Sequence, residues 1–206
     1  MRNGTQTIET ERGPARVDLT VPGSRAVPAS LLVLGHGAGG SVDAPDLTAV
    51  RDGALAAGVA VALVTQPYRV AGRRTPPPAG HLDEAWRAVL EVLTAQAGRV
   101  PVLVGGRSSG ARVACRTAAE VGAAGIVALA FPLHPPGRPE RSRAAELLTG
   151  LPTLVVNGDR DPFGVPGATP GVEIVVLVGE RHDLRQAPHA AAGAVVAFLR
   201  AHGWAR

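Results

Sequence analysis

The sequence predicts an α/β protein built on a mostly parallel sheet of about seven strands, with helices on both faces. Three observations carry that reading. Short apolar runs alternate with longer, Ala-rich amphipathic stretches along the chain, the order in which strands and crossover helices follow one another in such a sheet. The runs from Leu31 onward are nearly continuous in Val, Leu, Ile and Ala, as strands covered on both faces should be. The run Val100 to Gly105 also breaks at a serine-bearing glycine corner and passes directly into a helix-like stretch, which is a strand–turn–helix junction.

Strands are expected near Ala15 to Val21, Leu31 to Gly35, Val59 to Val64, Val100 to Val104, Gly125 to Ala130, Thr153 to Asn157 and Val172 to Val178. The first alternates polar and apolar residues, which suits an edge or antiparallel strand. Helices are expected over Asp46 to Ala57, His81 to Gln96, Ser109 to Glu120, a short stretch around Arg141 to Thr149, and Pro188 to His202. Proline and glycine concentrate in Val70 to Gly80, Pro132 to Pro139 and Pro162 to Gly171, which read as loops. With no internal repeat or long linker, residues 1–206 are read as a single domain.

Composition narrows the function classes. There is no lysine, so a Schiff-base lysine and a phosphate loop ending in Gly-Lys-Ser/Thr are both excluded. The pI of about 10.8 reflects arginine's high pKa more than a charge excess, because the formal net charge is only +4. No arginine cluster is interleaved with aromatics, so no nucleic-acid partner is expected. No apolar run reaches the roughly 20 residues of a membrane span, and Met1 to Arg12 contains no apolar signal region, so a cytoplasmic location without membrane association is the expectation. The single cysteine, Cys115, falls inside a predicted helix and reads as a core residue. No His/Cys/Asp/Glu cluster has metal-ligand spacing, and neither metal nor cofactor is expected.

In an open parallel sheet, the loops leaving the carboxyl ends of the strands share one edge, and ligands bind there. Gly106-Arg107-Ser108-Ser109-Gly110 is one such loop. Its corner would lift the Ser108 hydroxyl clear of the backbone and leave the next amide free to donate. His36-Gly37-Ala38-Gly39-Gly40 follows another strand, and its small residues allow a backbone amide close to a ligand. Ala38 and Ser109 are the expected pair of amide donors to an oxyanion. The turn Gly158-Asp159-Arg160-Asp161-Pro162-Phe163-Gly164 offers two carboxylates; Asp161 is preferred as the group that orients a histidine, and Asp159 reads as a turn residue. His182, just beyond the last strand, is the expected general base. His134, in Phe131 to Gly137, either lines the pocket or stabilises its loop.

The order Ser108, Asp161, His182, each after a predicted strand, matches the triad order of α/β-hydrolases. From about Leu31 to the C-terminus the chain resembles that superfamily, and within it the small dienelactone-hydrolase-like branch of bacterial proteins with minimal or no cap. The narrower resemblance lies in Gly35 to Asp43, Gln66 to Arg74, Gly105 to Ser108, Phe131 to Gly137 and Asp161 to Gly164. It implies an α/β-hydrolase fold with nucleophile Ser108, acid Asp161 and base His182. Two departures stand out: Ser109-Gly110-Ala111 replaces a frequent Met-Gly-Gly, and serine stands where dienelactone hydrolases proper use cysteine.

Only a short loop and helix fit between Phe131 and Leu151, so the site should be open and suited to small esters, thioesters or lactones. Arg69, Arg73, Arg74, Arg107, Arg138 and Arg181 all fall in loops on that edge. Arg73 and Arg107, with His134, are the expected substrate-binding candidates if the substrate carries a carboxylate or phosphate; the competing reading is that these arginines brace loops. At the level of function, the competitor to a serine hydrolase is a non-catalytic binding or scaffold protein on the same fold. Oligomeric state is not legible in the sequence.

Overall fold

The computed structural model describes residues 1–23 and 27–206. Its centre is one eight-stranded sheet in the order β1-β2-β4-β3-β5-β6-β7-β8. The strands are β1 Gly4–Ile8, β2 Ala15–Thr20, β3 Leu31–Gly35, β4 Ala60–Thr65, β5 Val102–Arg107, β6 Gly125–Leu129, β7 Thr153–Gly158 and β8 Val172–Leu177. From β4 through β8 the pairings are parallel, whereas β1 with β2 and β2 with β4 are antiparallel.

The expected count of about seven strands is short by β1, whose Gly-Thr-Gln-Thr-Ile run lacks an apolar signal because four of its residues stay outside the core. It pairs from Gly4↔Leu19 to Ile8↔Ala15, so β2 is antiparallel as expected but is not an edge. At the other side, β8 is an edge strand with only partial burial, unlike the fully buried β3, β6 and β7.

Helices α1 Pro45–Ala56 and α5 Pro188–Ala201 pack together on one face of the sheet. Helices α3 Ala79–Ala97 and α4 Ser109–Thr117 pack together on the other; the short α2 Pro67–Val70 follows β4. In α3, Leu82, Trp86, Val89, Leu90 and Leu93 repeat at the spacing of one helical face, and all are buried. In α5, Ala191, Val195, Phe198 and Leu199 do the same on the opposite side of the sheet. The expected helix after Ser108 stops at Thr117, and the expected helix around Arg141 to Thr149 is a short 3-10 turn at Ala144–Leu147.

That turn sits in a compact β6–β7 connection, which is pinned down rather than raised as a cap. Arg112 of α4 grips Glu146 through two hydrogen bonds of 2.8 and 2.5 Å, and the Arg143 guanidinium donates to the Pro132 carbonyl. Cys115 is buried in α4, where burial pushes its thiol up to about 12. Among the described residues, no helix is long and apolar enough to cross a membrane.

Candidate active site

The loops after β3, β5, β7 and β8 converge at one edge of the sheet, as parallel strands require. Ser108 stands between the end of β5 and the first residue of α4, with φ 53° and ψ −109°. That backbone region is strained for a residue with a Cβ, and two close approaches hold it. A Cβ on Gly106 or on Gly110 would overlap the Gly35 carbonyl oxygen, so glycine on both sides lets the corner press against β3. The Ser108 amide donates to the Leu129 carbonyl at 2.9 Å, tying the corner to β6 as well.

His182 lies within hydrogen-bond reach of both other residues. Its Nε2 is 2.8 Å from Ser108 Oγ and its Nδ1 is 2.8 Å from Asp161 Oδ2. Because a carboxylate only accepts, Nδ1 carries the proton and Nε2 presents its lone pair to the serine hydroxyl. The other Asp161 oxygen, Oδ1, accepts from the Phe163 amide at 2.8 Å. Phe163 in turn lays its ring against the imidazole, with ring centroids 4.2 Å apart. Asp159 faces away and accepts from the Gly179 amide at 2.7 Å, closing a turn between the two loops. Of the two aspartates in this turn, it is Asp161 that lies against His182.

Several supporting residues carry no sequence signal. Asn157, fully buried at the end of β7, accepts from the Phe131 amide and donates to the Phe131 and Gly164 carbonyls, with Asp161 Oδ2 at 3.4 Å. Glu180 is buried and accepts from the Ala187 amide, fastening the His182 loop to the start of α5. Leu184, at φ 44° and fully buried, anchors the other end of that loop. A polar residue at a strand end or an apolar residue in a loop is too common for spacing to reveal these roles.

The glycine turn after β3 is fixed from behind by His36. Its Nε2 accepts from the Gln66 amide at 3.2 Å, so Nδ1 carries the proton and donates to the Gly37 carbonyl at 2.8 Å. Arg69 adds a bond to the Gly40 carbonyl at 2.8 Å. Ala38 is thereby exposed on a turn whose neighbour Gly37 packs against Ser108; Ser109 occupies the first position of α4, where helix amides lack internal partners. Of the two residues expected to supply oxyanion donors, Ser109 directly follows the Ser108 corner and Ala38 directly follows the glycine that packs against it.

Burial, and then the nearby Arg69 charge, lowers the His36 pKa from 6.5 against the opposing pull of the Gly37 bond. The unfolded chain therefore takes up this proton before the folded one does. Stability should fall as pH drops through about 6.5 and keep falling until the folded-state value is passed, by at most about 1.4 kcal/mol per pH unit. Urea midpoints between pH 7.5 and 5 will show a steeper decline in the wild type than in His36→Asn; equal slopes would remove His36 from the account.

The arginines separate into two groups. Arg69 and Arg107 are committed to the protein itself: Arg107 lies 3.2 Å from Asp46 and donates to the His182 carbonyl at 3.2 Å. Arg73 instead lines a cleft of about 380 Å³ together with Gln66, Tyr68, His81 and Leu82. Arg181 borders an open depression beside His182. His134 bonds through its backbone amide to the Phe163 carbonyl at 2.9 Å, and its ring fills the space over Gly164, so it packs against the loop that carries Asp161. Among the described residues, no group of three or more His, Cys, Asp and Glu side chains is arranged to hold a metal ion.

Comparisons place this architecture among known proteins. The chain has no match among curated protein sequences. A lidless α/β serine hydrolase from Xanthomonas campestris superposes with a TM-score of 0.81 at 20% identity, covering 98% of this chain and 95% of that one. Dienelactone hydrolase from Anabaena variabilis gives 0.76 at 19% identity, with 97% of each chain covered. Est1E from Butyrivibrio proteoclasticus gives 0.77 at 16% identity over 97% of this chain and 98% of its own. A family model described as "Alpha/beta hydrolase domain" matches residues 28–187. That stretch runs from just before β3 to the threshold of α5 and includes all the loops that meet at Ser108, and on that match the chain belongs to the α/β-hydrolase family.

Proposed function

We propose that this protein is a serine hydrolase, of carboxylesterase type, that cleaves a small ester, thioester or lactone through an acyl-enzyme at Ser108. The observation that carries the reading is the pair of 2.8 Å contacts centred on His182, one to Ser108 Oγ and one to Asp161 Oδ2. Ser108 Oγ attacks the carbonyl carbon as His182 Nε2 takes its proton, and Asp161 stabilises the resulting imidazolium. The Ala38 and Ser109 amides donate to the tetrahedral oxyanion. His182 returns the proton to the leaving alcohol or thiol, then activates the water that releases the acid and regenerates Ser108.

The continuous sheet across residues 4–177 supports a single domain over 1–206. The uncapped edge supports small substrates. Arg73 lines the cleft whose Gln66, Tyr68 and Leu82 walls also border the small cavity at Ser109, and it is the residue we assign to a substrate carboxylate.

Purified protein should be labelled by a fluorophosphonate at Ser108, as mapped by mass spectrometry, and should turn over short-chain p-nitrophenyl esters. Paired neutral and carboxylate-bearing esters then test Arg73: the acidic member is favoured in the wild type, and that preference disappears in Arg73→Ala. Well-folded protein that neither labels nor hydrolyses would instead support the scaffold reading.

A further inference from the structure

Arg107 is the residue before Ser108, so its backbone is part of the corner that carries the proposed nucleophile. Its side chain is only 16% exposed and reaches three separate pieces of the site. Nε lies 3.2 Å from Oδ2 of Asp46, whose side chain is wholly buried in the first turn of α1. Nη2 donates to the backbone carbonyl of His182 at 3.2 Å. Nη1 lies over Gly37, where an added Cβ would stand 3.4 Å from it. One planar group thus touches the base loop and the glycine turn while its own backbone holds the serine.

We infer that Arg107, anchored by Asp46, is a positioning residue that sets where His182 stands over Ser108; the inference deepens the hydrolase reading above and rests on it. The imidazole is joined to its carbonyl carbon through Cα and Cβ, so a shift of that carbonyl moves Nε2 relative to Ser108 Oγ. Displacements of about 1 Å at a reacting pair cost roughly 100-fold in rate. Phe163 covers the ring of His182 and Asp161 holds its Nδ1, but among its contacts it is Arg107 that links its backbone to the serine corner.

Asp46 is the reason Arg107 stays in place. Neither Asp46 oxygen, nor Arg107 Nε, completes a hydrogen bond of good geometry among the described residues. Attraction between the charges holds the pair together, without a two-pronged fork. Stability alone gives little reason for such a pair, since a packed apolar pair of similar volume usually serves as well. The pair does keep the guanidinium from swinging out to solvent, and so leaves Nη2 aimed at the His182 carbonyl.

Arg107→Gln, Asp46→Asn and the double variant separate positioning from charge neutralisation. Arg107→Gln strands the Asp46 charge and lowers the unfolding midpoint. The double variant has no stranded charge, so its midpoint returns toward the wild type. In both variants lacking Arg107, fluorophosphonate labelling of Ser108 and kcat for p-nitrophenyl acetate should fall by about 10- to 100-fold, with KM little changed and the same loss for a carboxylate-bearing ester. Asp46→Asn should give an intermediate loss. Wild-type rates in the double variant would reduce Arg107 to a counter-charge for Asp46. A loss confined to carboxylate-bearing esters would make it a substrate anchor instead. An independent reading comes from the NMR signal of the His182 Nδ1 proton, which is bonded to Asp161 and should exchange with water faster in the double variant. If the wild type proves inert, the hydrolase reading fails, and this exchange rate still decides the positioning claim: unchanged exchange overturns it.

Discussion

Replacing Ser108 by Ala will abolish ester turnover, lowering kcat by about 10⁴-fold or more, and will leave the protein folded. The hydroxyl is the atom that His182 Nε2 contacts at 2.8 Å, and removing it takes away the group proposed to form the acyl bond. Stability offers a second, unusual signature at the same position. With φ 53° and ψ −109°, Ser108 occupies backbone space open to glycine and strained for any residue with a Cβ. Both Ser108→Ala and Ser108→Gly lose the hydroxyl, but only the glycine variant loses the strain. Ser108→Gly should therefore be the more stable of the two by about 1 kcal/mol, the reverse of their order in an ordinary helix. Kinetics with p-nitrophenyl acetate and urea unfolding of both variants check the pair of claims. Turnover surviving in Ser108→Ala would eliminate this serine as nucleophile.

Asp161→Asn should cost roughly 10⁴-fold in kcat at neutral pH with only a small change in unfolding midpoint. The reason lies in which atom each carboxylate oxygen faces. Oδ1 accepts from the Phe163 amide at 2.8 Å, so the asparagine carbonyl is held there and its NH₂ is turned toward His182. The imidazole must then accept at Nδ1 and carry its proton on Nε2. A protonated Nε2 cannot take the proton of the Ser108 hydroxyl. Flipping the asparagine would restore the useful tautomer only by pointing its NH₂ at the Phe163 N–H. Activity within tenfold of wild type would show that Asp161 does not orient the base.

Much of the scaffold was legible because doubly covered strands write themselves as apolar runs. Leu31–Gly35 and Thr153–Gly158 are buried along their whole lengths and lie where the sequence places them. The residues that meet at His182 were legible for a related reason, since parallel strands bring their carboxyl-end loops to one edge. The strand Gly4–Ile8 was not, because it joins the sheet mainly through backbone pairing and leaves little pattern in its side chains. For Arg107 the sequence leaves two readings open, an anchor for an anionic substrate or a brace between loops, because its position beside Ser108 is all that spacing reveals. Its partner Asp46 is remote in sequence and looks like an ordinary acidic residue in the first turn of a helix. Asn157 and Glu180 were hidden in the same way: a buried amide or carboxylate is defined by what surrounds it, and those neighbours come from other strands and loops.

The only thiol in the chain is shut inside the helix that springs from the serine corner. Alkylating reagents can reach Cys115 only when α4 opens, so the speed of its modification in folded protein times the breathing of the segment beneath Ser108. The same seclusion leaves the surface free of background sulfur chemistry. Cysteines introduced on the Ala38 turn and the His182 loop could therefore carry a pair of spectroscopic labels, and the distance between those two loops could be followed in a molecule otherwise unchanged.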